Sequence, residues 1–284
     1  MDERDEWDDR DEGRHRPAHD GPGWSESFAY ELSTADGYGV AVHVVLHPFE
    51  RRTWYWAVVE RPGRPVVAVV DLEVPMPTRS GSLELRTDGL WADHNVETAW
   101  EHVSVGLEAF GLALDDPRAL LSHGRGDRVP VGLDLEWEST AAAVIARPRG
   151  ETEGYEVATR AHGELLVGPD AFELDGFGWR EHRWGAIDWW DPAPSARLWV
   201  AAADRSREAA HRFAGAPFDH DAAVPFAIPA APPETADQPL VEFRVPSFGD
   251  LAARVVLGRA RRSDDLDAGV GWLFFVAGNE PGRS

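Results

Sequence analysis

An all-β fold, read as two tandem antiparallel β-barrel or sandwich domains, follows from three features of this 284-residue chain. Apolar and polar residues alternate with period two in run after run from Trp24 onward, the pattern of strands that bury one face. Turn dipeptides such as Asp-Gly, Pro-Gly and Pro-Asp separate these runs at close, regular spacing, as in sandwiches and barrels. Helical periodicity is confined to two short stretches, 115–123 and 205–213.

Each element can be justified in order. Residues 27–34 are extended and turn at Asp36-Gly37 into 39–47. Strands over 53–60 and 66–74 flank Arg61-Pro62-Gly63-Arg64, where Pro presets φ and Gly supplies left-handed backbone. Residues 82–86 and 90–96 flank Thr87-Asp88-Gly89, a hairpin turn. Runs over 100–114 and 131–137 complete the first half. Arg147-Pro148-Arg149-Gly150 then marks a boundary between a domain over 23–147 and a second over 148–280. In the second, 155–167, 172–190, 197–203, 240–245, 252–260 and 270–276 read as strands. The Ala- and Pro-rich stretch 214–239 reads as a surface connection.

Residues 1–20 hold nine acids and four Arg, with Met1, Trp7 and Ala18 as their apolar residues. Such a segment buries too little surface to offset its ordering entropy, so 1–22 is expected to be a disordered acidic tail.

Composition removes several mechanisms. There is no Cys, so disulfides, thiolate metal sites and Cys nucleophiles are excluded. All 28 basic residues are Arg, which excludes a Schiff-base lysine and a phosphate-loop lysine. A net charge of −22 argues against nucleic acid or an anionic membrane as partner. No apolar window is long enough to span a bilayer, and the acidic N-terminus lacks a signal-peptide core. The expected location is cytoplasmic.

Chemistry concentrates in Asp175–Trp190, where four Trp, two Arg, a His and three carboxylates fall together. On a strand, Arg180, His182 and Trp184 share one face, and Trp179, Glu181 and Arg183 the other. Gly185 is a possible bulge that leaves the face of Asp188 open. If Arg180, His182 and Trp184 line a barrel lumen, the site joins an aromatic wall to an imidazole and a cation, suited to orienting or protonating an apolar substrate. Alternatively, Trp179, Trp184 and Trp189 are core and His182 is an internal hydrogen-bonding group. A second cluster, Asp93-His94-Asn95-Val96-Glu97-Thr98-Ala99-Trp100-Glu101-His102, offers His94, Trp100, Glu101 and His102 as cavity-lining residues. No third ligand is fixed there, so no metal is expected. His43 and His47 read as surface or rim histidines.

The run Gly176-x-Gly178-x-Arg180-Glu181-His182-Arg183-Trp184-Gly185-x-x-Asp188-Trp189 resembles the signature of the hydroxyneurosporene synthase (CrtC)/AttH-like superfamily. Within it, the run is most similar to a branch that reads Gly-x-Gly-x-Arg-Asp-His-Ser-Trp-Gly. Gly89-Leu90-Trp91-x-Asp93-His94, Glu97-Thr98-x-Trp100-Glu101-His102, Leu107-Glu108-Ala109-Phe110 and Leu133-Asp134-Leu135-Glu136-Trp137 fit the same branch. Glu181 stands where the branch has Asp, Arg183 where it has Ser, and Ile187 where an Arg is expected.

The resemblance implies two lipocalin-like domains, with a ligand cavity in or between them. It implies hydratase- or cyclase-type activity on an isoprenoid- or polyketide-like molecule, without an organic cofactor. A carboxylic acid would protonate an alkene while aromatic rings stabilise the cation. His182, Asp188, Glu181 and Arg180 are the expected catalytic residues, and Trp184, Trp179 and Trp189 the expected substrate wall. The alternatives are a non-catalytic lipid or isoprenoid carrier and a partner-binding protein.

Overall fold

The computed structural model describes residues 8–17, 23–79, 81–116, 120, 126–140, 144–145, 152–187, 189, 195–201, 210–215, 239–246, 252–261 and 270–278. Its strands are β1 (Trp24–Ser33), β2 (Gly39–His47), β3 (Arg52–Glu60), β4 (Val66–Pro75), β5 (Leu85–Thr87), β6 (Leu90–Thr98), β7 (His102–Leu114) and β8 (Asp127–Ser139). They continue as β9 (Val144–Ile145), β10 (Thr152–Val167) and β11 (Asp170–Ala186). These eleven form one antiparallel sheet. A second sheet contains β12 (Ser195–Ala201), β13 (Ala210–Gly215), β14 (Pro239–Pro246), β15 (Ala252–Arg261) and β16 (Val270–Gly278). The fold is all-β.

The first sheet is closed. Its order runs β4-β3-β2-β1-β11-β10-β8-β7, and β4 returns to β7 through the pairs Val66–Leu114, Val67–Ala113 and Ala68–Leu112. The ring is an eight-stranded barrel, and β6 and β5 extend from the edge of β7. Alternation decides what points inward. Phe28, Tyr30 and Leu32 of β1 join Val40, Val42, Val44 and Leu46 of β2 and Trp137 of β8 in one buried cluster inside the barrel. The intervening residues Ala41, Val45, Trp54, Trp56, Val58 and Trp179 form a second cluster on its outer wall. Leu257 of β15 and Trp272 of β16 belong to that outer cluster, and the Trp272 indole donates to the Leu32 carbonyl at 2.9 Å. The second sheet therefore covers one flank of the barrel.

Five expectations change. The boundary at 147/148 falls inside the barrel, because β10 and β11 pair with β8 and β1. β10 and β11 are the strands that complete the ring, so the change of sheet comes after β11. Within the expected helix over 205–213, residues 210–213 are part of β13; 115–123 lies largely outside the described residues. Gly185 has φ 125°, yet the β1–β11 ladder runs from Trp24–Ala186 to Ser33–Phe177 in step, with no bulge. His43 and His47 are buried on the outer wall, where His43 pairs with Glu31 at 3.0 Å and the His47 ring lies 4.0 Å from that of Trp54.

The largest correction concerns residues 8–17 of the acidic N-terminal segment; residues 1–7 and 18–22 lie outside the described residues. Residues 8–17 are ordered against the barrel, with a 3₁₀ turn at Asp9–Glu12 capped by Asp8. Glu12 is 3% exposed. Average composition hid this, because the segment docks through a few specific long-range polar contacts and very little apolar surface.

Candidate functional site

The contacts of residues 8–17 gather at one end of the barrel, where β1 and β10 begin, β8 and β11 end, and a tight turn joins β6 to β7. Register sets the inward face there. Glu26, Phe28 and Tyr30 lie opposite Trp184, His182 and Arg180, and Tyr155 of β10 lies opposite His182.

Glu26 is the hub. Its Oε1 accepts the His15 backbone N–H at 2.8 Å, and it lies 2.9 Å from His15 Nδ1 and 2.8 Å from His182 Nε2. His182 Nδ1 lies 3.0 Å from the Asp11 carbonyl. A carbonyl only accepts, so Nδ1 carries a hydrogen, and Nε2 meets the Glu26 oxygen with one proton between them. Burial raises the Glu26 carboxyl, but the hydrogen bonds from His15 and His182 outweigh it and hold the group below its ordinary value. Burial pulls the His182 imidazole down, more than its contact with Glu26 lifts it.

Aromatic rings enclose this pair. His15 stacks on Trp184 at 3.7 Å and Phe28 on His182 at 4.0 Å. Tyr155 meets His182 edge-on at 5.4 Å, and Trp100 packs on Tyr155 at 4.8 Å.

Arg180 is the second centre. Its Nη1 donates to Glu12 Oε1 at 2.7 Å and Oε2 at 2.8 Å, and both side chains are buried. Glu12 also accepts the Trp100 N–H at 3.3 Å and is hydrogen-bonded to the Tyr155 side chain. Burial lifts the Tyr155 phenol well above its ordinary value, keeping it a neutral donor. Further into the lumen, the ring of Tyr30 lies 5.2 Å from that of His94, and the ring of Tyr55 lies 6.0 Å from it. Both nitrogens of His94, the Tyr55 hydroxyl and Thr159 Oγ1 are buried without a hydrogen-bond partner among the described residues.

The expected site residues divide. Arg180, His182 and Trp184 line the lumen, His94 lies within it, and Trp100 closes the site from the β6–β7 turn. Trp179 and Trp189 are outside, in the cluster under the second sheet, where Trp189 donates to Ser25 at 3.1 Å. Glu181 is on the outer face paired with Arg183. Glu101 is exposed, and His102 bonds Glu136 on the outer face of β7. Asp188 lies outside the described residues. Sequence reading missed Glu12, His15, Glu26 and Tyr155. One signal was available: Glu26 occupies an inward position in phase with Phe28, Tyr30 and Leu32.

His15, Glu26 and His182 also offer ligand atoms within 4.8 Å of one another, a donor set able to hold a divalent cation. The three contacts on Glu26 already link these groups.

Residues 8–215 match a family model described as a domain of unknown function, DUF7064. The chain belongs to the DUF7064 family. The family span starts at residue 8, so the segment carrying Glu12 and His15 is part of the DUF7064 domain. No curated protein shows a significant match. Among solved structures, a protein provisionally assigned as AttH from Nitrosomonas europaea is similar at 11% identity, covering 94% of each chain with a TM-score of 0.48. CghA is similar at 10% identity over 93% of this chain and 90% of its own, with a TM-score of 0.46. Its complex with Sch210972 covers 92% and 90% at 10% identity, with a TM-score of 0.45. No helix among the described residues is long and apolar enough to cross a membrane.

Burial gives the DUF7064 barrel a pH response. It depresses His94 to about 3 from 6.5, and His47 likewise, with Arg52 adding to the effect. Both stay neutral in the folded state and take up a proton on unfolding below pH 6.5. Stability is therefore full above pH 6.5 and falls as pH drops toward 3, by about 1.4 kcal/mol per pH unit for each histidine. In urea titrations, His94→Phe is expected to lose about 2 kcal/mol less than wild type between pH 6.5 and 5. An unchanged slope would show that His94 is protonated in the fold.

Proposed function

We propose that this chain is a cofactor-independent enzyme acting on a bulky apolar small molecule, isoprenoid- or polyketide-like, by acid–base chemistry of the hydratase or cyclase type. The observation that carries the reading is the His182–Glu26 contact of 2.8 Å, buried at 2% and 1% side-chain exposure within an aromatic enclosure. A proton held between two groups in a dry site is ready for transfer to an alkene or carbonyl carbon. The Asp11 carbonyl fixes the imidazole tautomer, and the Trp184, Tyr155 and Phe28 rings supply π-faces for developing positive charge. In this reading His182 delivers the proton, and Glu26, held ionised by its hydrogen bonds from His15 and His182, is its carboxylate partner. Glu181 lies on the wrong face for that role.

Native mass spectrometry of wild type and His182→Gln, each purified from the source organism, tests the reading. The variant is expected to retain an apolar molecule that is an isomer of the wild-type ligand, or differs from it by one water, with turnover reduced at least 100-fold. Recovery of one unaltered ligand from both proteins would instead establish a carrier.

A further inference from the structure

We propose that Arg180, the Tyr155 hydroxyl and the Trp100 backbone N–H form a receptor for the carboxylate of an apolar ligand, that Glu12 occupies it as an internal stand-in, and that residues 8–17 are a displaceable plug. The proposal rests on the reading that the barrel takes an apolar small molecule, and it names the head group of that molecule.

Three donors of different kinds converge on one carboxylate. Nη1 of Arg180 contacts both Glu12 oxygens, the Trp100 N–H reaches Oε2, and Tyr155 supplies the third hydrogen bond. Such a set satisfies a carboxylate in a dry site. Trp100 holds φ 66°, a left-handed conformation costly for a bulky side chain. That conformation accompanies an amide N–H directed at the Glu12 carboxylate. Arg180 keeps a spare donor: among the described residues its Nε is buried without a partner, and Nη2 makes a 3.4 Å contact to Ser139 Oγ.

The donors and the acceptor are held differently. Arg180 and Tyr155 are fixed in the β10–β11 ladder, whereas Glu12 comes from a four-residue 3₁₀ turn outside both sheets. Its segment is held by polar contacts. Arg14 reaches the Pro77, Arg79 and Ser82 carbonyls at 3.0–3.4 Å, and His15 holds Glu26 and Trp184. A ligand carboxylate would replace Glu12 charge for charge, leaving Arg180 compensated throughout. Beneath it, the unpartnered Thr159, His94 and Tyr55 atoms provide polar points along an otherwise apolar lumen. The ligand class is an amphipathic carboxylic acid.

Dodecanoate and dodecanol serve as probes, with affinity measured calorimetrically on full-length wild type, Glu12→Gln and Arg180→Met. Gln fills the space of Glu12 without its charge, so this variant is expected to fold. Glu12→Gln is expected to bind dodecanoate about tenfold tighter than wild type, because the competing occupant is weakened. Its dodecanol affinity should change much less, and Arg180→Met should lose the preference for the acid. Amide exchange across 8–17 of wild type should accelerate with dodecanoate and not with dodecanol. Unchanged or weaker dodecanoate binding by Glu12→Gln overturns the receptor, as does an equal gain for both probes. Failure of every protein to bind either probe would overturn the apolar-ligand reading itself, and the receptor with it.

Discussion

Glu12→Ala is expected to lower the unfolding free energy by about 3–5 kcal/mol, the cost of leaving a buried charge without its partner. Arg180 is fixed in the barrel wall at 3% exposure and cannot turn out to water when Glu12 is removed. The reverse truncation should cost less. In Arg180→Met the carboxylate sits on a segment able to swing into solvent, and Met fills the vacated space with apolar surface. The double variant should therefore recover much of the Glu12→Ala loss. Urea denaturation of the three proteins checks the whole cycle. Near-neutrality of Glu12→Ala would show that the N-terminal segment is undocked in solution, as its composition implies.

Trp272→Ala is expected to cost a similar ~3–5 kcal/mol, for a different reason. Trp272 is 1% exposed and packs with Trp54, Trp56, Trp179 and Trp189 on the outer wall of the barrel. Truncation leaves an indole-sized void where little can collapse, since both walls are sheets fixed by their own ladders. Trp272→Phe keeps most of the volume and forfeits the hydrogen bond to the Leu32 carbonyl, so it should cost a smaller ~1–2 kcal/mol. Separate unfolding steps for barrel and second sheet in Trp272→Ala, against one step in wild type, would identify this contact as the coupling. A wild-type stability retained by Trp272→Ala would exclude that role.

Strands were legible because alternation is a local property. Residues 39–47 and 155–167 were bounded from their residues within a few positions of β2 and β10. The inward face Arg180–His182–Trp184 followed from the same period. What could not be read locally was pairing. Nothing near Arg147 indicates that β10 and β11 return to β8 and β1, so a turn-rich stretch inside one barrel looked like a boundary between two. The site partners were hidden for the same reason. Glu26 is 156 positions from His182 and Glu12 is 168 from Arg180, and charge counting treated both acids as solvated. The tryptophans show the converse limit. Trp179, Trp184 and Trp189 cluster in sequence, yet of these three Trp184 alone reaches the lumen: Trp179 is five positions before it on β11 and so faces the other side, and Trp189 lies beyond the end of that strand.

The β1–β11 ladder carries a consequence for how the protein is made. It pairs residues 24–33 with residues 177–186, so the first strand of the barrel must wait for nearly the last before its open edge is satisfied. Contacts of such long sequence separation form slowly, and until then β1 presents an unpaired edge that invites association with other chains. β11 is also the strand that bears Arg180, His182 and Trp184. Completion of the barrel and assembly of the site are thus a single event. A nascent or truncated chain lacking β11 would have neither.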